Sequence, residues 1–173
     1  MNQDTQPTTQ EYKREGYKNP IPTTDIIIEY VEEENLKEEK ESEEKRKRET
    51  KIVLIERKNH PRGLALPGGF AEWGITLDEN AKKEAREETG LHVEIDNPQV
   101  PFCIRSDPKR DPRGHMTSVV FVAKGSGVIK AGDDAKEAKL YSLQEVRKLL
   151  DEKKLVFDHG DILEQYLKHK NQE

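Results

Sequence analysis

Short runs of apolar, β-branched residues alternate with polar segments along this chain of 173 residues. The runs at residues 24–31 (TDIIIEYV) and 51–57 (KIVLIER) predict strands, because β-branched side chains fit a pleated and partly buried surface. The segment NHPRGLALPGG that follows is rich in glycine and proline and predicts a loop. Further strands are expected at residues 91–95, 100–105 and 115–123, with a short one at 139–142.

Three helices are predicted from the patterns at their ends. Thr76 and Glu79 form a capping-box pattern, and Gly90 suits the position just after a helix ends. Ser142 opens a similar pattern, and a terminal helix after Asp158 carries an apolar face formed by Ile162, Leu163, Tyr166 and Leu167. Strands outnumber helices, and the helices are separated along the chain, so a mixed β-sheet flanked by helices is predicted.

The first of these helices carries three glutamates in an unusual place. Glu84, Glu87 and Glu88 are spaced i, i+3 and i+4, which puts them on one side of the helix. Glu84 and Glu88 point close to the direction of Leu77 and Ala81, the small apolar stripe, and Glu87 lies roughly a quarter-turn away. Carboxylates that face the packed side of a helix are costly unless something neutralises them. A bound cation is the simplest answer.

The composition indicates one domain with solvated appendages. Hydrophobic residues make up 32% of the chain and charged residues 38%, which is low in apolar content for a domain packed along its whole length. Residues 1–20 are polar and predict a flexible N-terminal arm. Within the domain at residues 21–173, a charged insertion at 32–50 separates the first two strands, and 15 of the 18 residues from 32 to 49 are charged.

Several classes of protein are disfavoured by the sequence. The net charge of −5 gives no basic excess, so no nucleic acid partner is expected. Cys103 is the only cysteine, which excludes an intrachain disulfide and a multi-cysteine zinc site. The first residues have no apolar region typical of a signal peptide, and no apolar stretch approaches membrane-spanning length. No membrane association and a cytoplasmic location are therefore expected.

The glycine-rich loop and the helix that follows it resemble the Nudix box, whose consensus is G-x5-E-x7-R-E-U-x-E-E-x-G-U with U aliphatic. In this register Gly69 is the first glycine of the box, and Gly90 is the last. Glu84 is the glutamate of the R-E pair, and Glu87 and Glu88 are the E-E pair. The whole box is in register after a Pro-Gly-Gly lead-in, so the match is specific.

Two consensus positions of the box differ in this chain. Ile75 stands where the family has an isolated glutamate, and Lys83 stands where it has an arginine. In the family that arginine orients the neighbouring glutamates through ion pairs. Lys83 keeps the charge and is able to reach Glu87 at i+4, but it lacks the planar fork of arginine. A weakened or retuned site is therefore expected, rather than an inactive one.

The resemblance implies an α/β fold of the α+β type, built as a Nudix-like α/β/α sandwich with a mixed β-sheet flanked by helices. It also implies hydrolysis of a diphosphate linked to another moiety. The implied cofactor is Mg²⁺, with Mn²⁺ as an alternative, because such sites use oxygen ligands and phosphate. By resemblance the metal ligands are Glu84, Glu87, Glu88 and the carbonyl oxygen of Gly68.

Two roles stay open after this resemblance. One glutamate is expected to act as a general base, and the candidates are Glu84 in the helix and Glu137 in the segment AGDDAKEAK. Glu72, in the loop before the helix, is interpreted equally well as a further metal ligand or as an ordinary loop residue.

Residues outside the box point to one branch of the family. The segments SDPKRDPRGH, LIERKNHPRGLALPGGF and VFDHGDIL are similar to those of the ADP-ribose pyrophosphatase branch. The resemblance covers roughly residues 24–167 without the charged insertion. It implies a small nucleoside diphosphate substrate, ADP-ribose or a relative, that is cleaved into AMP and a sugar phosphate. Many relatives of this branch are homodimers, but no feature of this sequence indicates the oligomeric state.

Arginines near the predicted site have two interpretations. Arg110 and Arg113 lie in a proline-stiffened loop, where they would either grip a phosphate or ribose or hold the loop through Asp107 and Asp111. Three further arginines lie near strand ends, where each would either approach the diphosphate or stay solvated: Arg57, Arg62 and Arg105.

Two alternative functions remain at this point. Another Nudix pyrophosphatase, acting on NADH, a nucleotide sugar or a nucleoside triphosphate, would share the whole box and differ only in its pocket loops. A catalytically weakened module that binds or senses nucleotides is motivated by Ile75 and Lys83. Hydrolysis of a substrate panel separates these functions.

Overall fold

The structure is a computed structural model that describes residues 19–31, 49–131 and 135–172, with only the backbone described at 135 and 136. The predicted N-terminal arm and charged insertion lie almost wholly outside the described residues. Eight strands and three helices are present in the described part: β1 (Ile21–Val31), β2 (Thr50–Arg57), β3 (Leu64–Ala65), β4 (Gly68–Phe70), α1 (Leu77–Thr89), β5 (His92–Glu94), β6 (Cys103–Arg105), β7 (Met116–Ser126), β8 (Ala135–Ser142), α2 (Leu143–Asp151) and α3 (His159–Lys170).

The strands form one mixed sheet, as predicted. Its main order is β3-β2-β1-β7-β5, and β8 extends it beside β2. β1 and β7 run parallel, from Ile21 opposite Met116 to Tyr30 opposite Gly125, and the other pairs are antiparallel. Parallel strands need a long crossover, and here that crossover carries α1.

The predicted loop after β2 contains two short strands instead. β1 and β2 pair only at residues 29–31 of β1. Beyond these residues, the backbone N–H and C=O groups of each strand need other hydrogen-bond partners. β3 pairs with β2, and β4 pairs with β1 through Thr24 opposite Gly69. Between these strands, the N–H of Ile26 donates to the carbonyl oxygen of Pro67 at 2.9 Å. The expectation of a plain loop was wrong, because buried backbone groups must find hydrogen-bond partners.

Side chains on the two faces of the sheet form two separate cores. Ile26, Ile28 and Val53 pack with α1 on one face. Ile27 and Leu54 pack on the other face with α2 and α3. Successive strand residues point to opposite faces, so these continuous apolar runs fit a sheet covered on both sides. The sheet between helices forms the predicted α/β/α sandwich.

The helix boundaries follow the predicted caps with one difference. Capping boxes are formed at Thr76 with Glu79 and at Ser142 with Glu145. Asp158 precedes α3, but its side chain makes no capping hydrogen bond, because its carboxylate binds arginine instead. The predicted apolar stripe of α1 is only partly buried, because Ala81 is fully buried whereas Leu77 is 36% exposed.

Several strand boundaries also differ from the predictions, and β1 begins at Ile21, three residues before its predicted start. β6 spans only Cys103–Arg105, because the residues before it form a turn in which the N–H of Val100 donates to the carbonyl oxygen of Asn97. β7 continues to Ser126, past the predicted end. β8 is longer than predicted, since it pairs with β2 from Ser142 back to Ala135. Among the described residues, no helix is both long and apolar enough to cross a membrane.

Candidate active site

Helix α1 packs against the sheet beside β1 and β4. Ala81 and Ala85 are fully buried in the contact, and such small side chains allow a helix to approach a sheet closely. Asn80 is 1% exposed, and its Nδ2 donates to Oγ1 of Thr24 in β1 at 2.8 Å. These contacts fix the position of the helix, and therefore where its glutamates point.

Two glycines of β4 make room for these glutamates. A Cβ on Gly69 would lie 2.5–2.6 Å from the carboxyl atoms of Glu84, closer than real Cβ atoms approach a neighbour. A Cβ on Gly68 would overlap the carbonyl oxygen of Thr24 and the side chain of Asp25. Gly68 is therefore required by the adjacent backbone, whereas a side chain at position 69 would displace the carboxylate of Glu84.

The three glutamates differ in their surroundings. Glu88 is 6% exposed, and its Oε2 accepts a hydrogen bond of 2.8 Å from the backbone N–H of Gly68. Glu84 is half-buried and lies against Gly69. Glu87 is exposed, and its Oε1 lies 3.5 Å from Nζ of Lys83. Glu84 and Glu88 thus both face the backbone of β4, whereas Glu87 lies at the rim.

The donor atoms here suit a hard divalent cation. In the described part of the chain, no group of three or more His, Cys, Asp or Glu side chains is already arranged around a common point. The carboxylate of Glu84 nevertheless lies against Gly69, and that of Glu88 accepts a hydrogen bond from Gly68, so both carboxylates lie beside the same stretch of backbone. Carboxylate and carbonyl oxygens are the ligands that Mg²⁺ and Mn²⁺ prefer. These residues fit a metal site that Glu87 would complete by changing its side-chain conformation.

Gly68 and Gly69 line a pocket whose charged side chains are three arginines and two aspartates. Its lining includes the side chains of Arg57, Arg113 and Phe157. The guanidinium carbons of the two arginines lie 5.1 Å and 5.2 Å from the centre of the Phe157 ring. Burial, followed by the nearby charge of Arg113, lowers the pKa of Arg57 from its ordinary value. Two neighbouring cations held on one ring favour an anionic ligand.

Arg113 and Arg110 have different roles in this pocket. Arg113 pairs through two nitrogens with Asp111, as one of the two interpretations expected, and still faces the pocket. The side chain of Arg110 is only 3% exposed and is bound to Asp158 at 2.7 Å and to Asp25 at 3.4 Å. Arg110 therefore supports the wall of the pocket rather than reaching freely into it.

Asp25 is the centre of a buried polar network behind the pocket. Its Oδ2 accepts a hydrogen bond from the hydroxyl of Ser118 and lies 3.5 Å from Nε2 of His159. Nδ1 of His159 accepts a hydrogen bond of 2.9 Å from the backbone N–H of Leu66. Nε2 is therefore the ring nitrogen that faces Asp25 and donates to its carboxylate. The network links β1, β7 and α3 around the pocket.

Acidification is expected to destabilise the fold through Asp25. Burial raises the pKa of this carboxyl, but the charge and hydrogen bond of His159, the hydrogen bond of Ser118 and the charge of Arg110 together hold the pKa below its ordinary value. Asp25 ionises at lower pH in the folded chain than in the unfolded chain. Its stabilisation of the folded state is therefore present above about pH 4 and is lost as the pH falls through the folded-state pKa. The free energy of urea unfolding, measured from about pH 6 to about pH 3, should therefore fall. A constant value over this range would contradict the expectation.

Comparison with known proteins decides the family. A family model for the NUDIX domain matches residues 30–166 of this chain. The chain belongs to the Nudix family. This Nudix protein is 44% identical over 127 residues to the ADP-ribose pyrophosphatase of Methanocaldococcus jannaschii, in an alignment that covers 72% of this chain and 70% of the relative. The predicted membership is confirmed, and the chain is a Nudix hydrolase.

Solved structures share the fold of this Nudix hydrolase. A MutT/nudix family protein from Enterococcus faecalis has a TM-score of 0.69 at 24% identity, covering 95% of this chain and 67% of that one. The NUDIX domain of Shewanella oneidensis NrtR, solved in complex with ADP ribose, has a TM-score of 0.69 at 21% identity, covering 94% and 98%. At these identities the likeness establishes the fold, and the predicted fold class is confirmed.

Three predicted residues of the Nudix hydrolase lie away from this pocket. Arg62 is exposed and does not line it. Arg105 pairs with Asp158 at 3.3 Å and lines a neighbouring surface cavity that shares Arg110 and Phe157 with the pocket. Glu137 lies opposite Glu56 in the pairing of β8 with β2, and its Oε2 is 2.7 Å from Nζ of Lys139. Strand alternation places Glu137 on the face covered by α2 and α3, opposite the face of α1.

Sequence reasoning missed two residues of the Nudix pocket. The ring of Phe157 contacts both arginines. This residue lies in the segment VFDHGDIL, but nothing in that segment indicated which residues the ring would contact. Its φ of 56° is unusual for a residue other than glycine, and such backbone conformations concentrate at functional sites. Asp25 lies inside a predicted apolar strand, where a carboxylate required a buried partner. A carboxylate within an apolar strand was therefore the sequence feature that could have indicated a buried polar network.

Proposed function

We propose that this Nudix hydrolase cleaves the diphosphate bond of ADP-ribose, giving AMP and a sugar phosphate, with Mg²⁺ as the metal. The observation that carries the proposal is that Glu84 and Glu88 lie against the Gly68–Gly69 backbone, which also lines the pocket of Arg57 and Arg113. A diphosphate lying over these glycines would have a metal-binding edge and a cationic edge at once. The identity with the ADP-ribose pyrophosphatase of M. jannaschii supports the same substrate.

Each part of the site has a defined task in the proposed reaction. Glu84, Glu87 and Glu88 would hold the metal, with the carbonyl oxygen of Gly68 as a further ligand. When bound, divalent cations neutralise the diphosphate and lower the pKa of water. Arg57 and Arg113 would bind the phosphate oxygens and hold the diphosphate in line for attack.

Water attacks one phosphorus while the bridging oxygen leaves with the bonding electron pair, and a general base takes the proton of the water. Glu84 is better placed than Glu137 to be that base. Glu84 lies against Gly69 at the edge of the proposed diphosphate site, whereas Glu137 lies on the opposite face of the sheet and is paired with Lys139.

Hydrolysis of a substrate panel tests the proposal. The purified protein is incubated with Mg²⁺ and ADP-ribose, NADH, nucleotide sugars or nucleoside triphosphates, and products are separated by chromatography. We expect ADP-ribose to give AMP with the highest kcat/KM, and we expect chelation of the metal to stop the reaction. Glu87→Gln serves as the background. ADP-ribose that binds but is not hydrolysed above this background would contradict the proposal and favour a nucleotide-binding module.

A further inference from the structure

The ammonium group of Lys83 lies between two carboxylates. Its Nζ is in very close contact with Oε1 of Glu72, in the loop between β4 and α1, and lies 3.5 Å from Oε1 of Glu87. Lys83 occupies the arginine position of the Nudix box, and the glutamate position at the start of the box is occupied by Ile75. Glu72, which is not a consensus position of the box, thus supplies a carboxylate for the cation at position 83.

Buried hydrogen bonds fix the loop that carries Glu72. The backbone N–H of Glu72 donates to Oδ1 of Asn80 at 3.0 Å, and the other end of this amide donates to Thr24 at 2.8 Å. The preceding residue, Ala71, donates its N–H to the carbonyl oxygen of Pro22 at 3.0 Å. Glu72 therefore starts from a backbone position set by β1 and α1, and its carboxylate is held near Lys83.

The two carboxylates compete for one cation. Glu87 is one of the proposed metal ligands, and an ammonium group bound to it would have to be displaced before a divalent cation could bind there. The closer contact of Lys83 is with Glu72. Without Glu72, the remaining carboxylate partner of Lys83 among these residues is Glu87.

We propose that Glu72 is a positioning residue that draws Lys83 away from Glu87 and so keeps Glu87 available for the divalent cation. The inference rests on the proposed function, in which Glu87 is a metal ligand. It also explains how the box works without a glutamate at position 75, because Glu72 takes over the pairing with position 83. Glu72 acts on the metal through Lys83 and is not itself a ligand.

A double-mutant cycle tests this inference by Mn²⁺ binding in the absence of substrate, with free Mn²⁺ measured by electron paramagnetic resonance. Glu72→Gln is expected to raise the apparent Kd for Mn²⁺ about three- to fivefold, the change that corresponds to one exposed ion pair. In a Lys83→Met background the competing ammonium is absent, so Glu72→Gln should then leave the Kd unchanged. This dependence on Lys83 distinguishes positioning from direct ligation.

Matched controls come from the neighbouring ion pair of Lys82 with Asp78 at 3.1 Å, on the same helix. Asp78→Asn and Lys82→Met make the same charge changes without touching Glu87, and they should change the Kd less than Glu72→Gln does. An equal effect of Glu72→Gln in both backgrounds would make Glu72 a ligand and overturn the inference. An unchanged Kd, or an equal effect of Asp78→Asn, would also overturn it. If the unmodified protein binds no Mn²⁺, the proposed function fails together with the inference.

Discussion

Replacing Glu88 by glutamine is expected to lower kcat/KM for diphosphate hydrolysis by at least about 100-fold, because residues that merely support a metal ligand already contribute up to about that factor. The carboxylate of Glu88 is buried against β4 and accepts a hydrogen bond from the N–H of Gly68. Glutamine keeps an oxygen that accepts this bond, so the substitution removes the charge and preserves the local geometry. Glu88→Gln is therefore expected to lower the activity while preserving the fold.

The measurement combines steady-state kinetics with circular dichroism and thermal unfolding. Glu94→Gln, at an exposed position of β5, is the matched control and should keep the activity of the unmodified enzyme. If Glu88→Gln retains near-normal kcat/KM with an intact fold, the box glutamates do not hold the metal as proposed.

Replacing Arg110 by methionine is expected to lower the free energy of unfolding by about 3–5 kcal/mol, the cost of breaking a buried ion pair on one side. The side chain of Arg110 is 3% exposed, and its removal leaves the carboxylates of Asp25 and Asp158 without their shared cation. Methionine fills much of the volume but cannot compensate these charges. Urea unfolding at neutral pH, followed by fluorescence, measures the change.

An exposed ion pair provides the comparison for Arg110. Lys124 pairs with Asp96 at 3.2 Å, and both side chains are mostly exposed, at 66% and 73%. Lys124→Met should therefore cost no more than about 1 kcal/mol. Equal costs for Lys124→Met and Arg110→Met would show that the buried network does not stabilise the wall of the pocket.

Local patterns in the sequence were sufficient to predict the helix of the Nudix box. The capping box at Thr76, the glycine after the helix and the spacing of the glutamates all act within a few turns of one helix, and each is present in the structure. The family resemblance also rests on this local register. The order of elements predicted a mixed sheet flanked by helices, and the family resemblance implied the α/β/α sandwich; the described strands and helices match both.

Contacts between distant segments could not be predicted in this way. Neither interpretation of Arg110, binding substrate or pairing within its own loop, included its partners Asp25 and Asp158, which are 85 and 48 residues away in sequence. Phe157, which precedes α3, contacts Arg57 and Arg113 from distant parts of the chain. β8 was predicted too short because its buried positions include Ala138, a weak signal for a strand. These features depend on tertiary packing, which spacing along the chain does not encode directly.

The pairing of Val31 with Thr50 also bears on how the length of this chain can vary. The charged connection at residues 32–49 begins and ends at these two adjacent backbones, so its ends are brought together by the sheet whatever its length. The cost of closing a connection grows only slowly with the number of residues in it. Along β1, Val31 is roughly 20 Å from Asp25, at about 3.3 Å per residue, so this end of the sheet is remote from the pocket. Insertions and deletions in the connection at residues 32–49 are therefore expected to leave the pocket near Asp25 unchanged.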